Sequence, residues 1–288
     1  MRSSFRTVSS HRQKLWAVAL WGAGVLAISS GSVATADPWA DRVIQYDPGT
    51  GAAAGYTDPS TALGMPTRFT GEVFGFPSVV SLVSPPFESD ELVSIGEGGR
   101  LTVEFDDPIK NDPQNPFGVD LILFGNGGFI YDFGTGRLAS PGTLFGLDLV
   151  RVSVSADGAT FVPLGDVVEG FYPTQAYLDG GPFDVVPGSL PTDFRKPVNP
   201  ALTAADFGGL TYEAARALYG DSGGGTPLDI AASGLGAVRF VRIDVLDDGD
   251  PDTELSAEID AFATVPEPAG ATVFVAGLFV LGAAFRRG

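Results

Sequence analysis

The feature that most constrains the fold is a series of short segments in which apolar and polar residues alternate, separated by stretches rich in glycine and proline. In residues 100–105, Leu101, Val103 and Phe105 share one face, as the side chains of a half-buried strand do. Similar segments span residues 149–155, 238–245 and 258–264, and residues 119–124 are nearly all apolar, as in a strand buried on both faces. Their number predicts an all-β fold, a two-sheet antiparallel sandwich of the jelly-roll type with long loops. A barrel and an immunoglobulin-like sandwich are the alternatives.

Little helix is expected. One short helix is predicted over residues 212–219, because Thr211 can cap its start and Gly220 can end it. Asp157 and Gly158 predict a hairpin turn after residues 149–155. Residues 171–206 are rich in proline and glycine and lack periodicity, so we expect them to form long loops over one end of the sandwich.

The first 36 residues have the pattern of a secretory signal peptide. The basic residues Arg2, Arg6, Arg12 and Lys14 precede an apolar run over residues 15–28, and Ala34-Thr35-Ala36 offers small residues to a signal peptidase. The alternative is a membrane anchor that stays uncut, for which this run is short. We expect cleavage after Ala36, so that residues 1–36 are a signal peptide and residues 37–264 form the β-sandwich body.

Cleavage would remove the only histidine, His11, and the chain has no cysteine. A mature body without His or Cys excludes a Ser-His-Asp triad, a Cys-His pair and the usual structural zinc sites. The formal net charge of −18 becomes more negative on cleavage, because the leader is basic. A nucleic-acid-binding protein would need a basic surface instead. Stabilisation by a hydrophobic core, with calcium as a further contributor, is compatible with secretion without disulfides.

Residues 265–288 carry three features in order. Pro266-Glu267-Pro268 precedes an apolar stretch over residues 269–285, and Arg286 and Arg287 follow it. As a helix the stretch would be about 25 Å long, at the lower limit for crossing a bilayer. A plain tail anchor and a buried core helix are the alternatives. The two prolines and the lack of a polar face argue against a core helix.

This combination resembles the PEP-CTERM sorting signal of exported bacterial surface proteins. The resemblance implies that an exosortase, a membrane protease-transpeptidase, processes the tail after signal peptidase has removed the leader. It also implies a bacterium with an outer membrane and transient anchoring of the C-terminal helix in the inner membrane. The expected final location is the cell surface or the extracellular matrix, where such systems accompany exopolysaccharide in biofilms. The tail therefore predicts routing and not a ligand.

The body resembles the β-sandwich surface domains that occur with the same tails. The resemblance rests on residues 118–126, 152–161, 238–244 and 259–262. Domains of that class usually carry an acid before the residue that corresponds to Asn126, where this chain has Gly125. They usually carry two aspartates in the last segment, where this chain has Glu258 and Asp260. The resemblance implies no reaction.

Eight acidic residues fall between Asp244 and Asp260. Calcium takes six to eight oxygen ligands and suits a flexible, acid-rich loop. The sequence therefore predicts a calcium site whose ligands would be drawn from Asp247, Asp248, Asp250, Asp252, Glu258 and Asp260. The spacing is not that of an EF-hand. The alternative is a solvated acidic loop on an acidic protein, and no other cofactor is expected.

Other side chains are candidates for a binding or catalytic site. Glu258 and Asp260 could act as a carboxylate pair on a glycosidic bond, or could face solvent. Asp120 on an apolar strand and Asn126 after it are further polar site candidates. A buried Asp120 needs a partner, and the arginines available for an ion pair are Arg151, Arg239 and Arg242. Loop aromatics that could stack on sugar rings are Trp39, Phe171, Tyr172, Tyr177 and Phe183.

Three functions follow from these observations. The first is a non-enzymatic exported protein of the cell surface or extracellular matrix that associates with exopolysaccharide. The second is a carbohydrate-binding module on a jelly-roll scaffold, which requires exposed aromatic side chains on one surface. The third is a carboxylate-based glycoside hydrolase, which requires two acids facing each other across a cleft.

Overall fold

The computed structural model describes residues 37–246 and 255–267. In these residues the chain is mostly β-strand, with two helices, α1 (Ala204–Phe207) and α2 (Tyr212–Tyr219). The strands are β1 (Arg42–Asp47), β2 (Phe69–Thr70), β3 (Ser78–Val79), β4 (Val93–Gly96), β5 (Arg100–Lys110), β6 (Leu121–Gly125), β7 (Gly128–Phe129), β8 (Tyr131–Asp132), β9 (Arg137–Leu138), β10 (Leu144–Phe145), β11 (Asp148–Ser155), β12 (Val162–Glu169), β13 (Thr226–Leu228), β14 (Ala237–Val245) and β15 (Ser256–Thr264). No helix in the described part of the chain is long and apolar enough to cross a membrane. The two predicted apolar terminal helices lie outside it.

Nine of these strands form two antiparallel sheets. The first sheet has the order β1-β5-β14-β11-β12, and the second has the order β13-β6-β15-β4. From β4 onward the chain passes back and forth between the sheets, with β5, β11, β12 and β14 in the first and β4, β6, β13 and β15 in the second. This strand order is that of a jelly roll, so the predicted fold class is confirmed.

The core lies between the two sheets and consists of every second residue of their strands. Leu101, Val103 and Phe105 of β5 are buried there, as the alternation predicted. Strand β6 is buried along its whole length, which agrees with its continuous apolar sequence. Its other face, with Ile122 and Phe124, is covered by a second apolar cluster that includes Phe194.

The predicted loop region is packed onto the sandwich by a half-buried arginine. Between β12 and α1 the chain has no named element, as predicted. The Arg68 guanidinium donates hydrogen bonds to the carbonyls of Ala176 and Thr192, and its Cζ lies 4.0 Å from the ring centroid of Phe194. Burial lowers the pKa of Arg68. The loops are therefore fixed by a half-buried planar cation that bonds to backbone carbonyls.

Of the two helices, α2 was predicted and α1 was not. Helix α2 has the predicted bounds, and Thr211 Oγ1 accepts a hydrogen bond from the Ala214 amide at its start. Helix α1 is a single turn closed by a capping box between Thr203 and Asp206. Four residues are too few to show a helical period in the sequence.

A bulge in β15 sets the position of Asp260. The register of β15 on β6 shifts between Ile259 and Ala261, which leaves Asp260 as the extra residue. Before the bulge Ile259 faces the core between the sheets, and after it Phe262 does. Asp260 is only 2% exposed. Regular alternation along the strand gives no indication of a buried carboxylate at this position. The bulge is what places it there.

Candidate functional site

Three aromatic side chains form an exposed cluster that we call the aromatic platform, made of Tyr131, Phe133 and Phe183. The rings of Phe133 and Phe183 are stacked, with centroids 5.3 Å apart and planes at 19°. Tyr131 meets both edge-on, at 5.3 and 5.4 Å. Phe133 is 78% exposed and Phe183 is 42% exposed. Such a surface offers ring faces to a sugar or to another apolar ligand.

Two tight turns hold the aromatic platform. Phe133 follows Asp132, whose carboxylate accepts hydrogen bonds from the Gly134 amide (2.8 Å) and the Thr135 hydroxyl (2.8 Å). These bonds lower the pKa of Asp132. The turn is of the Asx type and forms the tip of the hairpin between β8 and β9. Phe133 therefore lies at the hairpin tip and not in the core.

The loop with Phe183 is closed in the same way. Asp179 accepts hydrogen bonds from the Ser189 hydroxyl and amide and from the Leu190 amide. These bonds lower the pKa of Asp179 to about 2. Because an ionised carboxylate is the acceptor at both turns, the geometry of the aromatic platform depends on two charged aspartates.

Of the five loop aromatics named from the sequence, Phe183 alone belongs to the aromatic platform. Trp39 packs on the cluster beside β6, and Tyr172 is buried with its hydroxyl bonded to the carbonyls of Pro200 and Leu202. Phe171 packs edge-on against Tyr172, and Tyr177 lies near Arg68. Sequence reasoning missed Tyr131 and Phe133, although the Asp-Phe-Gly-Thr-Gly turn around Phe133 was a usable signal.

A second feature is a polar cleft of about 430 Å³ whose acidic members are Asp58, Asp90, Glu91 and Asp260. We call it the acidic cleft. Asp260 at its base accepts hydrogen bonds from the Thr67 amide (3.0 Å) and hydroxyl (2.8 Å). Burial nevertheless raises the pKa of Asp260 to about 7. Glu88, Asp90 and Glu91 can place one oxygen each within 4.8 Å of one another, and no other three acids of the described residues do so.

Near the acidic cleft lies a polar group that we call the acidic junction, made of the buried Glu169 and the half-buried Asn126, Asp148 and Glu258. Burial and the neighbouring Glu258 raise the pKa of Asp148 to about 7. Burial and then Asp148 raise the pKa of Glu169. Glu258 accepts a hydrogen bond from the Ser94 hydroxyl at 3.0 Å. Asp148 and Glu169 were not singled out from the sequence.

Asp120 and Asn126 lie at opposite ends of β6, roughly 20 Å apart along an extended strand. Asp120 is fully buried and accepts hydrogen bonds from the Asp112 and Ile230 amides and from the Asn115 side chain. Its partners are thus amides and not Arg151, Arg239 or Arg242. Those arginines lie near Asp166, Glu104 and Asp244 respectively. Asp120 joins two loops, whereas Asn126 belongs to the acidic junction.

The predicted calcium loop is only partly described. Asp247, Asp248, Asp250 and Asp252 lie outside the described residues, whereas Glu258 and Asp260 belong to the acidic junction and the acidic cleft. Of the predicted sorting motif, Pro266 and Glu267 are described and exposed. Glu267 Oε1 lies 2.7 Å from Lys110 Nζ at the end of β5. Pro268, Arg286 and Arg287 lie outside the described part.

Comparisons with known proteins add little. No family model matches the chain, and no curated protein matches it. One similar solved structure is that of a pectin-binding carbohydrate-binding module, 13% identical, with 82% of this chain and 95% of that chain covered and a TM-score of 0.28. A likeness of this size carries no argument about function.

Proposed function

We propose that this chain is a non-enzymatic protein exported to the cell surface or extracellular matrix, with its tail processed by an exosortase. The observation that supports processing is the exposure of the first two residues of the motif. Val265 is buried directly after β15, and Pro266 and Glu267 are the first exposed residues that follow. A membrane protease can therefore reach the motif while the sandwich remains folded.

Removal of the tail is tested by the intact mass of the exported protein. We expect the mass to correspond to a chain that starts after Ala36 and lacks the segment after about Pro268. A variant with alanine at positions 266, 267 and 268 should keep its tail, because the motif is lost while β15 is intact. Detection of the full tail on the exported wild-type protein would contradict the proposal.

A second candidate function is carbohydrate binding through the aromatic platform. It is favoured by the stacked pair Phe133 and Phe183, because exposed aromatic rings provide the flat apolar face on which sugar rings stack. In this function the ligand is a polysaccharide outside the cell, which would also explain retention in an exopolysaccharide matrix.

Binding is tested by affinity electrophoresis of the body in gels that contain the exopolysaccharide of the producing cells. Phe133→Ala and Phe183→Ala should each lower the affinity measured by retardation about fivefold, because each removes a ring worth about 1 kcal/mol in stacking. The control is Phe76→Ala, since Phe76 is 76% exposed and lies outside the aromatic platform. Equal retardation of all three variants would exclude the aromatic platform as the binding site.

A further inference from the structure

The acidic junction contains buried oxygen atoms that have no hydrogen-bond partner. Glu169 is 1% exposed, and its Oε2 atom accepts no hydrogen bond from any described residue. Asp148 Oδ2 and Asn126 Oδ1 are also buried atoms without a partner in the described part of the chain. Buried polar atoms are nearly always paired, and a buried unpaired carboxylate is very costly. These three oxygens therefore need a partner that the described chain does not supply.

The chain segments that carry Asn126, Asp148 and Glu169 approach one another closely. Asp148 at the start of β11 is the direct cross-strand neighbour of Glu169 at the end of β12. Their side chains therefore leave the sheet on the same face. A Cβ atom added to Gly125 would lie 2.3 Å from Glu169 Cδ. The Glu169 carboxylate thus occupies the space beside the end of β6, directly before Asn126.

The backbone after Asn126 confirms this proximity. Gly170 has a φ of +78°, and a Cβ there would lie 2.1 Å from the Gly146 carbonyl oxygen and 3.0 Å from Gly127 Cα. Gly127 follows Asn126, Gly146 is two residues before Asp148, and Gly170 follows Glu169. The backbone segments next to Asn126, Asp148 and Glu169 are therefore in van der Waals contact with one another.

The chemistry of these atoms selects the class of partner. None of the ion pairs between described residues includes Asp148, Glu169 or Glu258. Carboxylate and amide oxygens are the ligands of a hard cation, and the absence of nitrogen and sulfur donors disfavours zinc and copper. Calcium accepts mixed carboxylate, amide and water ligands in irregular geometry, and its charge balances two carboxylates.

We propose that the acidic junction is a calcium site that joins the two sheets, with Asp148, Glu169 and Asn126 as ligands and Glu258 beside them. The site differs from the acidic loop at residues 247–252. It is also independent of the proposed export and carbohydrate binding, because the ion would stabilise the sandwich itself.

The experiment compares thermal unfolding of the full mature chain in calcium chloride and in sodium chloride at matched ionic strength, after chelation. We expect millimolar calcium to raise the Tm of the wild-type protein by several degrees more than sodium does, since the ion binds only the folded state. In Glu169→Gln and Asp148→Asn this additional rise should disappear. Their Tm in chelator should equal or exceed that of the wild type, because each variant removes a buried charge.

Two further variants separate this site from the other acidic groups. Asp248→Asn with Asp250→Asn alters the loop, and Asp90→Asn alters the acidic cleft. Both should keep the calcium-specific rise in Tm. Equal shifts in calcium and sodium for the wild type would overturn the proposal. The proposal would also be overturned if the loop variant lost the calcium-specific rise in Tm and Glu169→Gln kept it. That result would place the ion in the loop. If Glu169→Gln fails to fold, Asp148→Asn decides between these outcomes.

Discussion

Replacement of Arg68 by alanine is expected to lower the free energy of unfolding by about 3 to 5 kcal/mol. The side chain donates charge-assisted hydrogen bonds to the carbonyls of Ala176 and Thr192 and lies over the Phe194 ring. The variant would remove the charged donor from both carbonyls, of which only the Ala176 carbonyl keeps another donor among the described residues, the Thr192 amide, and it would open a gap against Phe194. Urea unfolding of the body measures the loss.

A matched control shows whether the position or the residue type matters. Arg151 forms an exposed ion pair with Asp166, with Nε and Oδ1 2.7 Å apart. Arg151→Ala should therefore cost less than about 1 kcal/mol. Arg68→Lys should lose most of the stability that Arg68→Ala loses, because an ammonium cannot reproduce the planar fork. A cost below about 1 kcal/mol for Arg68→Ala would show that the loops do not depend on this residue.

Asp260 should make the stability of the calcium-free protein fall as the pH rises from 4 to 7. Its pKa is raised by burial from an ordinary 3.8 to about 7. Between these values the folded state binds a proton that the unfolded state has released, so stability decreases with increasing pH. The stabilisation is complete below about pH 4 and is lost as the pH passes through about 7. Its size is on the order of 3 kcal/mol.

The comparison that isolates this effect is urea unfolding of the wild type and Asp260→Asn at pH 4, 5, 6 and 7 in calcium-free buffer. The difference in stability between the two proteins should shift by about 3 kcal/mol over this range, in favour of the variant at pH 7. Asp132→Asn serves as a contrast, because the pKa of Asp132 is lowered, so its effect on stability changes below about pH 4 and should be nearly constant over the measured range. A difference independent of pH would show that Asp260 titrates normally.

The strands that sequence alone could locate are those whose apolar residues either alternate with polar ones or run continuously, as in β6. Strands β5, β11, β14 and β15 alternate clearly, and their observed bounds include the predicted segments. The edge strand β1 was missed because its pattern of exposure is irregular. Strand β13 was missed because it has three residues, one of them proline. Short and edge strands depend on their neighbours more than on their own sequence.

The acidic junction could not be predicted because its members are joined only by the fold. Glu169 lies 44 positions after Gly125 in the sequence, and its place beside β6 depends on the register of β12 against β11. That register contains a shift between Val152 and Ser153, which no local pattern indicates. The missing acid at position 125 counted against a polar site in the sequence. In the structure the Glu169 carboxylate occupies that space.

The aromatic platform illustrates a different limit. The turn that presents Phe133 can be recognised locally, because Asp132 and the glycines after it define it. That Phe183 stacks on Phe133 cannot be recognised, since the two residues lie in separate turns 50 positions apart. Contacts between loops depend on how the loops pack on the sandwich.

The order of the strands along the chain has a consequence for biosynthesis. Strand β14 lies between β5 and β11, and β15 lies between β6 and β4, so the centres of both sheets come from the last two described strands. A nascent chain that has not yet released these strands has neither sheet complete and exposes the apolar faces of β5, β6 and β11. The sandwich can therefore close only after nearly the whole body has left the ribosome. Until then its exposed apolar strand faces make the nascent chain prone to aggregation.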